Sequence, residues 1–346
     1  MMERIAKRGE FAKGKNLKRF LVENSALVTL ILLIIVGIVA QGTTFLNINN
    51  FINILFNNAI IGIIALGMTL IIISGGIDLS VGSAAALTGL LTLTAINYTG
   101  SIVLGVLVAF AVGILMGAFN GVLISKFRVP AFIVTLGAMQ IFRSLSLYQW
   151  QGGGVLLGRS GGLLLEGINV DGFRSFSNTR FFTDFFQAGL PLPVLYWIGL
   201  IIIMALFCKK TALGRHIYAV GSNERATSLS AVKVKRVKIY VYMISGALVA
   251  FAALVEASRL GSMNSATSGN LYELQAIAAV IIGGTAMSGG RGSMLGTFFG
   301  TLTLGVINNI MNLSGLPSFL VGAIQGGIVI LAVLLQRSVT KEGKGF

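Results

Sequence analysis

Two polar clusters interrupt long apolar runs, and they are where this chain has chemistry to offer. The first runs from Ile73 to Ser83 and reads ISGGIDLSVGS. It sets Asp78 among Gly75, Gly76 and Gly82, with Ser80 and Ser83 close by. A carboxylate at membrane depth is expensive and normally faces a cavity or a partner. Glycines beside it permit a broken helix, whose freed backbone groups bind a polar solute or are satisfied by neighbours. Asp78 therefore either caps the helix that follows, with Ser80 and Ser83 in support, or touches solute directly. The second cluster opens on Glu273 and Gln275 and closes on Gly283, Gly284, Gly289, Gly290 and Gly292. SGGIDLSVGS and SGGRGS each follow an apolar run and precede small residues, an echo of the kind that transporter repeats leave.

Other polar residues within apolar segments have plainer readings. Glu256 and Arg259 stand at i and i+3, the spacing of an intrahelical ion pair. Arg143 either snorkels outward or pairs with an acid. Asn120, Asn308 and Asn309 read as amides that join helices. One cysteine, Cys208, and one histidine, His216, exclude an internal disulfide and any metal site built from several Cys or His ligands. The same scarcity excludes a Ser/His/Asp hydrolase, and no catalytic residue is assigned. Gly9 to Lys15 fits the phosphate-binding pattern G-x4-G-K, but Asn16 replaces the magnesium-binding hydroxyl and no strand precedes it. No cofactor is implied. No chain of Asp, Glu and His forms a proton relay, which weighs against an ion-coupled carrier.

The elements that must position these residues follow from composition. Of 346 residues, 55% are hydrophobic and 11% charged, against about 25% charged in soluble domains. Forty-five are glycine, nearly twice the usual share of about 7%. The expected fold is an all-α polytopic membrane protein. A span needs about 20 mostly apolar residues. Ten segments qualify, falling to eight or nine spans if some are re-entrant: roughly 21–40, 51–74, 80–98, 101–125, 130–150, 192–208, 238–260, 271–288, 293–313 and 317–336. The first is read as a retained span, because it is too long for a signal-peptide core and ends in a poor cleavage site.

The net charge is +15, with 26 Lys and Arg against 11 Asp and Glu. Residues 1–19 hold seven of the cations, 209–238 hold eight and 337–344 hold three. Ten spans put all three segments on one side, which the positive-inside rule makes the cytoplasm. Nucleic acid is not an expected partner, because no basic stripe lies on an amphipathic face. The chain thus divides into a basic tail over 1–20, a transmembrane domain over 21–336 and a second tail over 337–346. Within the domain, 151–191 is external and 209–237 is the longest cytoplasmic connection. The external segment is rich in phenylalanine and reads as an element lying on the bilayer or as a docking surface. Glycines spaced by four, at 113, 117 and 121, at 292, 296 and 300, and at 322 and 326, read as rows of close helix contact.

Four ordered strings carry a resemblance. They are GMTLIIISGGIDLSVGS (Gly67–Ser83), FNGVLIS with VPAFIVTLG (Phe119–Gly137), TALGRHIYAVGSNERATSLSAVKV (Thr211–Val234) and LYELQAIAAVIIGGTAMSGGRGSMLG (Leu271–Gly296). The chain resembles the transmembrane permease of ribose/galactose-type sugar ABC importers, the branched binding-protein-dependent transport permease family. The resemblance implies a bacterial inner-membrane permease acting as a dimer with a second copy. It also implies a cytoplasmic ABC ATPase as the motor and a periplasmic or lipid-anchored binding protein that delivers a sugar. It places an ATPase-coupling helix within 211–234, with Gly221, Asn223, Glu224, Ala226, Leu229 and Ser230 as the matching positions. Ala231 departs from the family, which often has glycine there, and Gln275 stands where aspartate is common.

The expected function is import of a monosaccharide by alternating access, with ATP hydrolysed on another chain. The substrate pathway is expected along Gly75, Gly76, Asp78, Ser80, Glu273 and Gln275. The alternative is an ion-coupled carrier or channel for a small polar solute.

Overall fold

A computed structural model describes residues 25–150, 162–167, 170–183, 189–317, 320, 322–324 and 326–327. The tails 1–20 and 337–346, and most of the expected span 317–336, lie outside the described residues. Among the described residues, eight helices are long and apolar enough to cross a bilayer. They are α1 (Ser25–Leu46), α2 (Ile48–Ile73), α3 (Val81–Thr99), α4 (Ile102–Ser125), α5 (Ala131–Trp150), α7 (Leu192–Lys210), α10 (Val234–Leu260) and α12 (Met294–Leu313). The shorter helices are α6 (Val170–Asn178), α8 (Ala212–Ser222), α9 (Glu224–Leu229) and α11 (Tyr272–Ile282).

Local sequence explains the boundaries. Asn47 caps α2 by accepting from the Asn49 amide at 2.9 Å, and Ser293 caps α12 by accepting from Gly296 at 2.9 Å. Gly100 ends α3 in the left-handed conformation that glycine adopts without steric cost. The core is the inner half of α2, α3, α10 and α11, where nearly every side chain from Ala59 to Ile73 is buried. The α4 and α10 backbones meet along the expected glycine row. Gly113 faces the Gly246 carbonyl, Gly117 the Tyr242 carbonyl and Gly121 the Ile239 backbone. Gly296 and Gly300 likewise let α12 approach Gly283 and Ala279. Among the described residues, nothing approaches the Cβ positions of Gly322 and Gly326.

Two expectations change. The eighth span is not one continuous helix: α11 has 11 residues, a rise of about 16 Å, roughly half the hydrocarbon core. An irregular stretch from Ser265 to Leu271 precedes it. The Phe-rich segment, expected to be external and to lie on the bilayer or dock a partner, is in part core. Phe173 on α6 is buried, and Phe176 packs against Tyr196 of α7 and Phe251 of α10. A short antiparallel pairing of β1 (Gly162–Leu164) with β2 (Ser262–Asn264) ties the same segment down. Phe181 and Phe182 are exposed, while 184–188 lies outside the described residues.

Candidate functional site

The first break follows from its glycines. At the end of α2 the Gly75 amide donates to Ile72 and the Gly76 amide to Ile71, both at 2.9 Å. Gly75 has φ +82, which a side chain would resist. The chain then runs irregularly to Ser80, and every polar device on the way is a protein group. Asp78 accepts from the Ser80 amide at 2.8 Å and from the Ser80 hydroxyl at 2.6 Å. Asn120, reaching from α4, donates to that hydroxyl at 2.9 Å. The Tyr242 hydroxyl of α10 donates to the Ile77 carbonyl at 2.9 Å. The residue at the start of α3 is thus Ser80 and not Asp78, which acts two positions earlier by holding the turn. Asp78 is only 5% exposed.

The irregular stretch ahead of α11 meets the first break, while the glycines after α11 form the second break. Gly269 and Gly82 touch backbone to backbone, and the Glu273 carboxylate lies against the same Gly82. Neither glycine leaves room for a Cβ. Arg143 holds the approach to this contact: its Nη1 donates to the carbonyls of Ser265 at 2.8 Å and Ser268 at 3.0 Å. Irregular backbone inside a membrane protein needs such partners, because no solvent is there to supply them. Arg143 thus spends its donors on backbone carbonyls and forms no direct salt bridge among the described residues, with Glu273 and Glu256 attracting its charge from farther off. Among the described residues Glu256 and Arg259 form no direct salt bridge, though their charges still attract across one helical turn. Arg259 donates to Asn57 Oδ1 at 2.6 Å and stands over the Phe56 ring at 4.0 Å. Glu256 is buried, with Oε2 unpartnered. Gln275 is half-buried on α11.

The basic connection docks on both breaks. Thr211 caps α8 by accepting from Gly214 at 3.0 Å, and Asn223 caps α9 by accepting from Ala226 at 2.9 Å. At the end of α8, a Cβ on Gly221 would overlap the Ile73 carbonyl oxygen. That oxygen also accepts from the Gly290 amide at 2.8 Å. A Cβ on Gly289 would sit 2.9 Å from the Gly221 oxygen and 3.2 Å from Gly75 Cα. Gly75, Gly221 and Gly289 therefore converge, one from each break and one from the connection. The Tyr218 hydroxyl donates to the Gly292 carbonyl at 2.9 Å, and burial pushes it up to about 12, so it remains a donor. Beyond this junction α9 stands free: Leu229 is 84% exposed, Ala226 and Ser230 are exposed, and Glu224 pairs with Lys238 at 2.7 Å. Ala231 adopts φ +60, the left-handed region where glycine is at ease.

Comparison with known proteins agrees with this architecture. Residues 50–333 match the family described as "Branched-chain amino acid transport system / permease component". The chain belongs to this family. The ribose import permease protein of Escherichia coli is 39% identical over 322 residues, covering 92% of this chain and 95% of that one. Its counterpart in Bacillus subtilis is 40% identical over 218 residues, 63% of each. A xylose transport system permease protein of Haemophilus influenzae is 31% identical over 281 residues, covering 68% of this chain and 75% of that one. No solved structure matches. The protein is a multi-pass membrane permease, a non-catalytic subunit of a sugar ABC importer type.

In this permease the structure brings together residues that the sequence listed apart. Gly75, Gly76, Asp78 and Ser80 share one break, and Glu273 reaches it through Gly82. Of the positions expected to couple to an ATPase, Gly221 alone is in the packed junction, while Asn223, Glu224, Ala226, Leu229 and Ser230 form the exposed α9 turn. Three contributors were missed as partners of the breaks: Arg143, Tyr218 and Tyr242. An arginine inside an apolar run was the one available signal, and it did not name its acceptors.

Proposed function

We propose that the permease moves a monosaccharide through alternating access, as a dimer with a second copy. A cytoplasmic ATPase drives it, and an external binding protein delivers the sugar. The observation that carries this reading is the convergence of Gly75, Gly221 and Gly289. A motor acting on α9 would pull on α8, and α8 meets both helix breaks through backbone contacts with no side chain to absorb the movement. Such rigid contacts transmit displacement because packed interfaces hold discrete arrangements. A sugar is the favoured cargo because the relatives above are permeases for ribose and xylose. The pathway runs beside Gly75, Gly76, Asp78, Ser80, Glu273 and Gln275.

Reconstitution into vesicles tests this. Sugar uptake is expected only when the ATPase, ATP and the binding protein are all present. Uptake by this chain alone, driven by an ion gradient, would overturn the reading.

A further inference from the structure

The cations between 209 and 238 read in sequence as a label of sidedness. Five of them, joined by Arg128, do something more local. A cavity of about 960 Å³ opens between the α4–α5 turn and the α9–α10 turn. Arg128, Arg225, Lys233, Lys235, Arg236 and Lys238 line it. One acid faces them, Glu224, and Lys238 already pairs with it. The rest of the wall is largely apolar, made by Ile124, Val129, Pro130, Ala131 and Val234.

Two further features point to a ligand. Ser125 lines the cavity, is 6% exposed, and has a hydroxyl with no hydrogen-bond partner. A buried hydroxyl left unpaired is costly, so an acceptor supplied by a ligand would relieve it. Beside the mouth, Phe127, Phe132 and Ile133 are 68%, 54% and 59% exposed, giving an apolar face next to a basic recess. Cations, an apolar wall and a neighbouring apolar face together suit an amphiphile with an anionic head better than a free anion. Basic pockets between helices at the cytoplasmic side are sites for anionic headgroups.

We propose that this cavity binds the phosphodiester headgroup of an anionic phospholipid. The acyl chains leave along the exposed face at the start of α5, and a phosphate oxygen accepts from Ser125. Ser74, Gly75 and Gly76 line the same cavity, so a bound headgroup braces the first helix break. The inference goes beyond the transport reading and does not depend on it, because the chain alone should retain the lipid.

The test uses the full chain, purified and delipidated in detergent, with native mass spectrometry after adding phosphatidylglycerol or phosphatidylcholine. The chain should retain phosphatidylglycerol. The triple variant R128Q/K235Q/R236Q should bind it roughly a hundredfold more weakly, at about fivefold per lost cation. Phosphatidylcholine should bind both alike, and millimolar inorganic phosphate should not displace the lipid. Ser125→Ala, with every charge intact, should weaken retention several-fold. The charge-preserving variant R128K/K235R/R236K should keep it, and with Ser125→Ala it decides the matter if the neutral variant does not fold. Equal phosphatidylglycerol binding by the wild type and a folded neutral variant would overturn the proposal. Displacement by phosphate would overturn it in favour of a free-anion site. Loss of ATPase binding with lipid retention unchanged would assign the cavity to the motor instead.

Discussion

Gly221 faces the carbonyl oxygen of Ile73, with no space between them for a methyl group. One residue ends the helix that leads to the exposed α9 turn, and the other ends the buried α2. Introducing a Cβ there forces one backbone away from the other, and overpacking of this kind costs about 1–3 kcal/mol. Gly221→Ala is therefore expected to insert normally yet lose coupled uptake by roughly tenfold, since about 1.4 kcal/mol corresponds to that factor. Transport in vesicles with the ATPase present is the measurement. Unchanged uptake would show that the junction transmits nothing.

Arg143 supports the irregular stretch ahead of α11 in a different way. It donates to two carbonyls of an irregular segment at 2.8 and 3.0 Å. A hydrogen bond from a charged donor contributes about 1.5–3 kcal/mol, and half-burial reduces that. Arg143→Ala should destabilise the fold by about 2 kcal/mol, and Arg143→Lys, which reaches fewer acceptors, by less. Thermal unfolding in detergent ranks the two. A melting temperature equal to that of the wild type in Arg143→Ala would remove this role.

These two relationships mark where the sequence stops being informative. Long apolar runs name the spans because 20 such residues have few other uses. The glycine row at 113, 117 and 121 named a close helix contact because spacing by four is local. The partners of Arg143 lie 122 and 125 residues away, and no periodicity encodes that distance. The eighth span misled because Ala276 to Ile282 are uniformly apolar, and a half-helix has the same composition as half of a whole one. Asp78 was expected either to cap α3 or to touch solute; Ser80 holds the cap position instead, and Asn120, which donates to Ser80, sits on another helix.

Glu224 offers a test of what the exposed α9 turn does. Its ion pair with Lys238 is largely open to solvent, with Glu224 58% exposed, so it contributes little to stability. Charge reversal by Glu224→Lys should leave the melting temperature nearly unchanged and impair ATPase-coupled uptake. The double variant Glu224→Lys with Lys238→Glu restores the pair in reverse. If the pair alone matters, the swap recovers uptake. Continued loss in the double variant, the expected result, assigns Glu224 to contact with another chain.

Asp78 separates turn geometry from charge. Its Oδ1 takes two hydrogen bonds from Ser80, and its burial leaves little of it for a passing solute. Asparagine keeps that acceptor, whereas alanine removes it and leaves the Ser80 amide unpaired, at a cost of about 1–3 kcal/mol. Asp78→Asn is expected to retain most of its uptake, and Asp78→Ala to lose stability and transport together. A neutral sugar has no ionic group to read a carboxylate, so the charge itself should be dispensable. Were Asp78→Asn stable but unable to transport, the carboxylate would have to act on solute or on a proton, and the turn would be only its scaffold.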